Sequence, residues 1–339
     1  MADVNLDLGP DALLLVTGGT GLVGSHVIEK ALARGCRVRA LVRAGSDTSF
    51  LQTLPVELST GSLTEPETLP AAVQGVTHVV HCAAKVGDWG PVEDYRLANV
   101  TGLRALLESL LQTHTLRQFV HISSLGVYPA QDHYGTDETA PTNDAGIDGY
   151  TLTKVEAEHV IRQYVEFRNL KAVILRPGWI YGARDRTVLP KLIEKLRLRK
   201  VVYLGSGEQM LNQIYVDNLV DAVLLALGRT DLNGETFNLT DGKLVSRIEF
   251  METICEFGQL PKPVKHVPLP VAKGLAAAME TTYRILGKKE APLLSQARIK
   301  FLGLNLDYSI DKARRQLGYE PKIAFRDGMR ETMNGIAGT

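Results

Sequence analysis

Apolar residues in the first half of the chain come in short runs that break at glycine or give way to a helical period. Leu13-Leu14-Leu15-Val16 is the pattern of a buried strand and ends at Thr17-Gly18-Gly19. Residues 22–33 have helical spacing, and Gly35 closes them. Residues 38–42, 79–82, 119–122 and 172–175 read as further strands. Helical patterns occupy residues 103–111 and 150–167, and another helical stretch closes at 73–76. Strand and helix alternate throughout, which predicts an α/β chain with a parallel sheet covered on both faces.

The regularity fades after Arg176. Residues 184–200 are polar and basic, and two short apolar pieces, 201–203 and 214–216, flank a glycine-rich turn. Asp217 is expected to cap a helix over 218–227. Residues 271–286 are expected to form a packed helix; a cover over a lipid-like substrate or a membrane contact is the alternative. Leu317-Gly318-Tyr319-Glu320-Pro321 ends a helix and starts a tail. The chain thus divides into a nucleotide-binding domain, 1–182, and a smaller C-terminal substrate lobe, 183–339, whose segments can interleave with the first. Residues 1–11 read as a polar arm. Residues 129–149 hold five acidic residues and three glycines and are a candidate flap.

Charge narrows the classes. There are 38 Lys plus Arg and 38 Asp plus Glu, so the net charge is zero. Sequence-blind nucleic-acid binding runs on excess positive charge, so no nucleic-acid partner is expected. The three cysteines, Cys36, Cys82 and Cys255, are widely spaced, which fits a reducing, cytoplasmic setting. No secretory signal or spanning run is visible. The eight histidines show no ligand spacing, so no metal site is expected.

Thr17-Gly18-Gly19-Thr20-Gly21-Leu22-Val23-Gly24 follows a strand and opens a helix, the context of a dinucleotide site. Gly18 permits the tight turn, Gly21 lets backbone approach a pyrophosphate, and Gly24 lets helix and strand close. Such sites for NAD usually carry an acid about 20 residues on, to hold the ribose. Here that place reads Ala40-Leu41-Val42-Arg43-Ala44-Gly45-Ser46, without an acid. Arg43 stands where a 2′-phosphate would lie, so NADP is the expected cofactor and NAD the alternative.

Tyr150 and Lys154 are four apart and share a helix face. A nearby ammonium favours phenolate, so Lys154 is expected to lower the Tyr150 pKa. Ser124 lies at the carboxyl end of the strand before them, where open α/β sheets bind ligands. Its hydroxyl is placed to hydrogen-bond the oxygen that Tyr150 protonates.

These pieces, in this order, resemble the extended short-chain dehydrogenase/reductase family, also called the NAD-dependent epimerase/dehydratase family. The likeness spans nearly the whole chain. It includes His81-Cys82-Ala83-Ala84, Asn99-Val100-Thr101-Gly102, Val127-Tyr128, Arg176-Pro177, Tyr181-Gly182 and Tyr215-Val216-Asp217-Asn218. It implies a Rossmann-type doubly wound sheet and a homodimer. It implies Tyr150 as acid/base, Lys154 as its ammonium partner and nicotinamide-ribose ligand, and Ser124 as the group that polarises the substrate. Asn99 would support the active-site helix. Around the cofactor it places Gly18, Thr20, Gly21, Leu22, Val23, Gly24, Arg43, Ser62, Leu63, Ala83, Ala84, Lys85, Asn99, Ser123, Tyr150, Lys154, Pro177, Gly178 and Ile180. Ser62 departs from the family's frequent Asp at the adenine.

Sugar-nucleotide members often carry an Asn where Trp179 stands here, and Gln-x-Arg-Asp where this chain has Gln209-Met210-Leu211-Asn212. Two phosphates need donors or positive charge. Their absence predicts an apolar substrate surface, unless Arg184, Arg186 or Lys191 supplies them. Lys85-Val86-Gly87-Asp88-Trp89-Gly90, with Tyr95, and the ending Tyr308, Lys312-Ala313, Leu317 to Pro321, are similar to the 3β-hydroxysteroid dehydrogenase branch. That branch includes reductases of 2-alkyl-3-oxoalkanoates. The expected activity is hydride exchange between a nicotinamide and a secondary alcohol or ketone on an apolar molecule. A nucleotide-sugar epimerase or dehydratase is the alternative. A non-catalytic nucleotide sensor is disfavoured by the intact Ser124, Tyr150 and Lys154. The basic stretch 191–200 reads as a solvated helix face rather than an anchor to an anionic membrane. His121 is expected to be structural, and His133 lies on the flap.

Overall fold

Continuous apolar runs bury on both faces, so the strands they form take the centre of a sheet. The computed structural model describes residues 8, 9, 11–288 and 290–337. Most of the expected arm, residues 1–7 and 10, lies outside the described residues. The central sheet has β1 (Leu13–Thr17), β2 (Arg37–Val42), β3 (Glu57–Thr60), β4 (His78–His81), β5 (Gln118–Ile122), β6 (Ala172–Pro177) and β7 (Thr236–Leu239). All are parallel, in the order β7-β6-β5-β4-β1-β2-β3. The order reverses at β1, which makes a crevice between β1 and β4 at their carboxyl ends. Register aligns Thr17 with His81, His81 with His121, and Ile122 with Leu175. The residues that follow each strand therefore converge on one edge.

Helices cover both faces. On one side α1 (Leu22–Ala33) packs with α4 (Val216–Leu227) through Val27, Ile28, Ala31, Val220 and Val223. On the other, α2 (Gly102–Thr113) meets α3 (Gly149–Arg168) through Leu106, Leu107, Leu110, Ala157, Val160 and Ile161. Each fully buried Leu or Ile contributes about 1.5–3 kcal/mol, so these faces supply most of the driving force.

Parts of the second half interleave with the sheet, and single elements differ from expectation. Thr236–Leu239 and α4 return to the sheet, β7 as its edge strand. Helix α4 starts at Val216, with Tyr215 at the N-cap position and no side-chain cap. The expected cap Asp217 instead faces Lys30 at 3.4 Å. Asp241 takes the local donors, accepting from the Tyr215 amide and the Asn218 side chain, both at 2.8 Å. The candidate flap is pinned: His133–Thr136 pairs with Leu306–Tyr308 as two short parallel strands. Helix α5 (Leu269–Ile285) buries only Ala272 and Ala276 and exposes Val271, Leu275 and Ile285. It packs by one face only, through alanines that rest against Leu204 and Ile299. Helix α6 (Gln296–Gly303) follows. The expected tail is helical: α7 (Phe325–Ala337) inserts Phe325, Met329 and Met333 into the main core. Among the described residues no helix is long and apolar enough to cross a membrane.

Candidate active site

The glycine loop closes the crevice at β1. Gly18 takes φ +70°, and a side chain there would put Cβ 2.8 Å from the Ala83 amide nitrogen. A Cβ on Gly24 would run into the Gly18 carbonyl. Helix α1 opens with Gly21 at its N-cap, with no side-chain cap and no acid in its first turn. Its first amides thus face the crevice, a ready site for an anionic group. A cradle too tight for any Cβ and an uncapped helix start fit a dinucleotide pyrophosphate. Thr17 ties the floor together: its hydroxyl meets His81 Nδ1 at 2.9 Å and accepts from the Ala83 amide at 3.2 Å. Ala84 follows on the same strand end, half-buried.

The remaining predicted cofactor residues are spread around this crevice. Arg43 is exposed just past β2. Ser62 is buried, meeting Thr64 Oγ1 at 2.9 Å while its amide donates to Thr68 Oγ1. Leu63 packs where a side chain on Gly102 would sit. Asn99 lies in a π-helical turn, Leu97–Thr101, a distortion frequent at functional sites. It accepts from the Lys85 amide at 2.7 Å and donates to the Lys85 carbonyl and Thr153 Oγ1, both at 3.0 Å. Asn99 thus joins the loop after β4 to Thr153 on α3. Pro177 ends β6, and Gly178 follows with its amide on the Leu239 carbonyl; Ile180 lies in the short strand Trp179–Tyr181. Ser123 differs from expectation in its side chain, which donates to Glu158 at 2.6 Å. That carboxylate also holds Arg176 at 2.8 and 2.6 Å, and Arg176 donates to the Tyr128 hydroxyl at 2.8 Å.

Ser124, Tyr150 and Lys154 meet at the carboxyl edge. Asp148 caps α3 in a capping box with Thr151, which fixes the helix start beside Tyr150. Lys154 is buried, donates to the Ile122 carbonyl at 2.7 Å, and lies 5.9 Å from the Tyr150 ring centroid. Burial pulls its pKa down to about 8. Burial also pushes the Tyr150 phenol up to about 12, against a lowering from its hydrogen bond with Ser124. The downward pull on Tyr150 comes from Ser124, and burial outweighs it. Ser124 Oγ accepts the Gly126 amide at 3.0 Å, which leaves its own proton directed at the Tyr150 oxygen, where a substrate oxygen would meet both groups. Behind Lys154, burial holds His81 down to about 3 and His121 well below its usual value. His121 stacks on His81 as a neutral ring, and its two ring nitrogens are buried without a partner. His133 is also buried, between Thr136 and the Pro129 carbonyl.

Beside this edge the surface is aromatic. Trp179 packs on Phe250 at 4.7 Å and on Phe301 at 5.1 Å between centroids. Phe301 also packs on the cluster of Leu125, Val127 and Val155, adjacent to Ser124. Met210 is half-buried, and the nearby Arg247 is turned to four backbone carbonyls, of Gln209, Met210, Phe301 and Leu304. Arg184 pairs with Glu29 at 2.8 Å and Arg186 with Asp47 at 2.6 Å, around a small cleft that includes Thr20. Both arginines thus sit at the glycine loop. Lys191 is exposed on the helix Leu189–Arg197. A separate cleft of about 240 Å³ lies between Leu211, Thr240–Leu244 and Leu306–Asp311, away from Ser124, Tyr150 and Lys154.

A family model described as "NAD dependent epimerase/dehydratase family" matches residues 14–240. The chain belongs to that family. A ketoreductase of Stigmatella aurantiaca, acting by its name on a 4-hydroxy-2-methyl-3-oxo-4-farnesyl-3,4-dihydroquinoline-1-oxide, is 30% identical over 93% of each chain. A 3β-hydroxysteroid dehydrogenase/Δ5→4-isomerase of Mycobacterium tuberculosis is 30% identical over 94% of this chain and 89% of its own. The crystal structure of gox2253 superposes with a TM-score of 0.82 at 29% identity, covering 96% and 98% of the two chains. The family uses a nicotinamide dinucleotide, and with relatives named as a ketoreductase and a dehydrogenase the chain is placed among its oxidoreductases. Lys300, Glu158 and Arg298 carry contacts at the site that pattern reading missed. The one available signal was Lys154, Glu158 and Arg162 at i, i+4 on α3.

Proposed function

We propose that this protein is an NADP-dependent reductase/dehydrogenase that exchanges hydride with a ketone or secondary alcohol on an apolar, 3-oxoacyl-like or 3β-hydroxysteroid-like molecule. The observation that carries the substrate class is the aromatic surface of Trp179 and Phe301 beside Ser124. The arginines that a diphosphate would need are committed elsewhere, Arg184 to Glu29, Arg186 to Asp47 and Arg247 to backbone. The names of the ketoreductase and 3β-hydroxysteroid dehydrogenase relatives agree with it. The bound nicotinamide supplies or accepts the hydride.

The chain's residues do the rest. The glycine loop and the first turn of α1 hold the pyrophosphate, Arg43 the 2′-phosphate, and Ala83, Ala84, Pro177, Gly178 and Ile180 line the crevice. Ser124 accepts from Gly126 and donates to the substrate oxygen. Tyr150, a neutral phenol at physiological pH, gives that oxygen its proton. Lys154 stabilises the phenolate left behind, because a positive charge beside a developing anion in a dry site is worth far more than in water. We further read the protein as a cytoplasmic homodimer.

The test follows nicotinamide absorbance with purified protein. NADPH or NADH is offered with long-chain 3-oxoacyl esters, and NADP or NAD with 3β-hydroxysteroids. Substrate-dependent net change in the cofactor supports the reading. Conversion of a UDP-sugar without net change assigns the epimerase alternative instead.

A further inference from the structure

The Ser124 loop is held from the far end of the chain. Helix α6 is capped by Ser295 and carries Arg298, Lys300 and Phe301 within one turn. Arg298 pairs with Asp88 at 2.6 Å, in the loop after β4, and the Ser295 hydroxyl reaches the same carboxylate. Phe301 packs on Trp179. Between them Lys300 points inward and is 7% exposed. Its ammonium donates to the Gly126 carbonyl at 2.7 Å and the Tyr128 carbonyl at 2.5 Å. Gly126 is the residue whose amide donates to Ser124 Oγ. One residue thus receives Lys300 on its carbonyl and orients Ser124 with its N–H.

A buried ammonium is costly unless its donors are satisfied, so the site retains Lys300 for what it holds. The turn Leu125–Val127 is a single 3-10 turn, and Lys300 adds two bonds to the few that it makes itself. We propose that Lys300 is a positioning residue for the reaction: through Gly126 it sets the direction of the Ser124 hydroxyl, and so couples the C-terminal segment to the reacting oxygen. This rests on Ser124 binding that oxygen, as read above.

The experiment is a double-mutant cycle on the full chain: Lys300→Met, Ser124→Ala and the pair, assayed with NADPH and a long-chain 3-oxoacyl ester. Lys300→Met keeps the stem and removes the donors. The expected loss in kcat is about 10- to 100-fold, the scale of a misplaced catalytic group. The NADPH dissociation constant, measured by binding alone, stays within about two-fold. In the Ser124→Ala background Lys300→Met costs less than about two-fold, because the residues act as a unit. Additive losses, or full activity in Lys300→Met, overturn the proposal. Full activity in Ser124→Ala overturns the role of Ser124 itself, and is thereby told apart. If Lys300→Met fails to fold, Lys300→Gln, which keeps an amide donor, carries the same cycle.

Discussion

Lys154 donates to the carbonyl of Ile122, two residues before Ser124, at 2.7 Å. This bond joins helix α3 to the end of β5 and places the ammonium beneath the reacting edge. Burial brings its pKa down to about 8, so the charge is present at neutral pH and lost on mild alkalinisation. The rate of ketone reduction at saturating substrate is therefore expected to fall as pH rises through about 8. In Lys154→Arg, whose charge persists, any residual activity should lose that limb. A pH profile of kcat for both proteins checks it.

Tyr150 is pushed up to about 12 by its buried setting, so it holds its proton across the physiological range. Tyr150→Phe removes that proton and leaves the ring packing. Activity should fall about 10²–10⁴-fold, the usual contribution of a placed general acid. Cofactor affinity, read from nicotinamide fluorescence, should hardly change.

Arg43 is exposed at the end of β2, and residues 40–46 hold no acid. A hydrogen bond to a charged group contributes about 1.5–3 kcal/mol, so Arg43→Gln should weaken NADPH binding about 10- to 100-fold. NADH binding should be nearly unchanged. Equal effects on both cofactors would remove Arg43 from the 2′-phosphate site.

Glu158 and Arg176 form a buried bidentate pair that also holds Ser123, Arg162 and Tyr128. Removing one charge leaves the other unpaired in the interior. Glu158→Gln should therefore destabilise the fold by about 3–5 kcal/mol in denaturant titrations.

His78, His81 and His121 are buried neutral; burial holds His78 down to about 4 and His81 to about 3. The unfolded chain binds protons on all three below about pH 6.5, and the folded chain does not. Stability should fall as pH drops from 7 towards 4. His121→Phe removes one titrating ring that has no hydrogen-bond partner, and its unfolding midpoint should fall less over the same range.

The dinucleotide half was legible because its signals are local. An apolar run, a glycine turn and a helical period follow one another between Leu13 and Ala33, and Tyr150 and Lys154 are one helical turn apart. What escaped was tertiary. Thr236–Leu239 is four residues with a central Asn238, too short and too polar to read as a sheet strand until β6 pairs with it. The stretch Phe325–Ala337 is largely polar, and only its Phe and Met side chains, buried against Phe250 and Tyr215, reveal a core helix. Lys300 and Arg298 are ordinary surface residue types, and nothing near them in sequence announces carbonyls or a carboxylate supplied from over 170 positions away. Spacing places Lys154 beside Tyr150, but the cost of desolvating both groups depends on the surrounding chain.

The most direct test of the central claim follows the hydride itself. NADPH carrying deuterium at the transferable position of C4 is incubated with the protein and a long-chain 3-oxoacyl ester, and the product is analysed by mass spectrometry. The account predicts one deuterium on the new carbinol carbon, with stoichiometric oxidation of the cofactor and loss of the signal in Tyr150→Phe. Unreduced ester, with a UDP-sugar interconverted at constant cofactor, would contradict it.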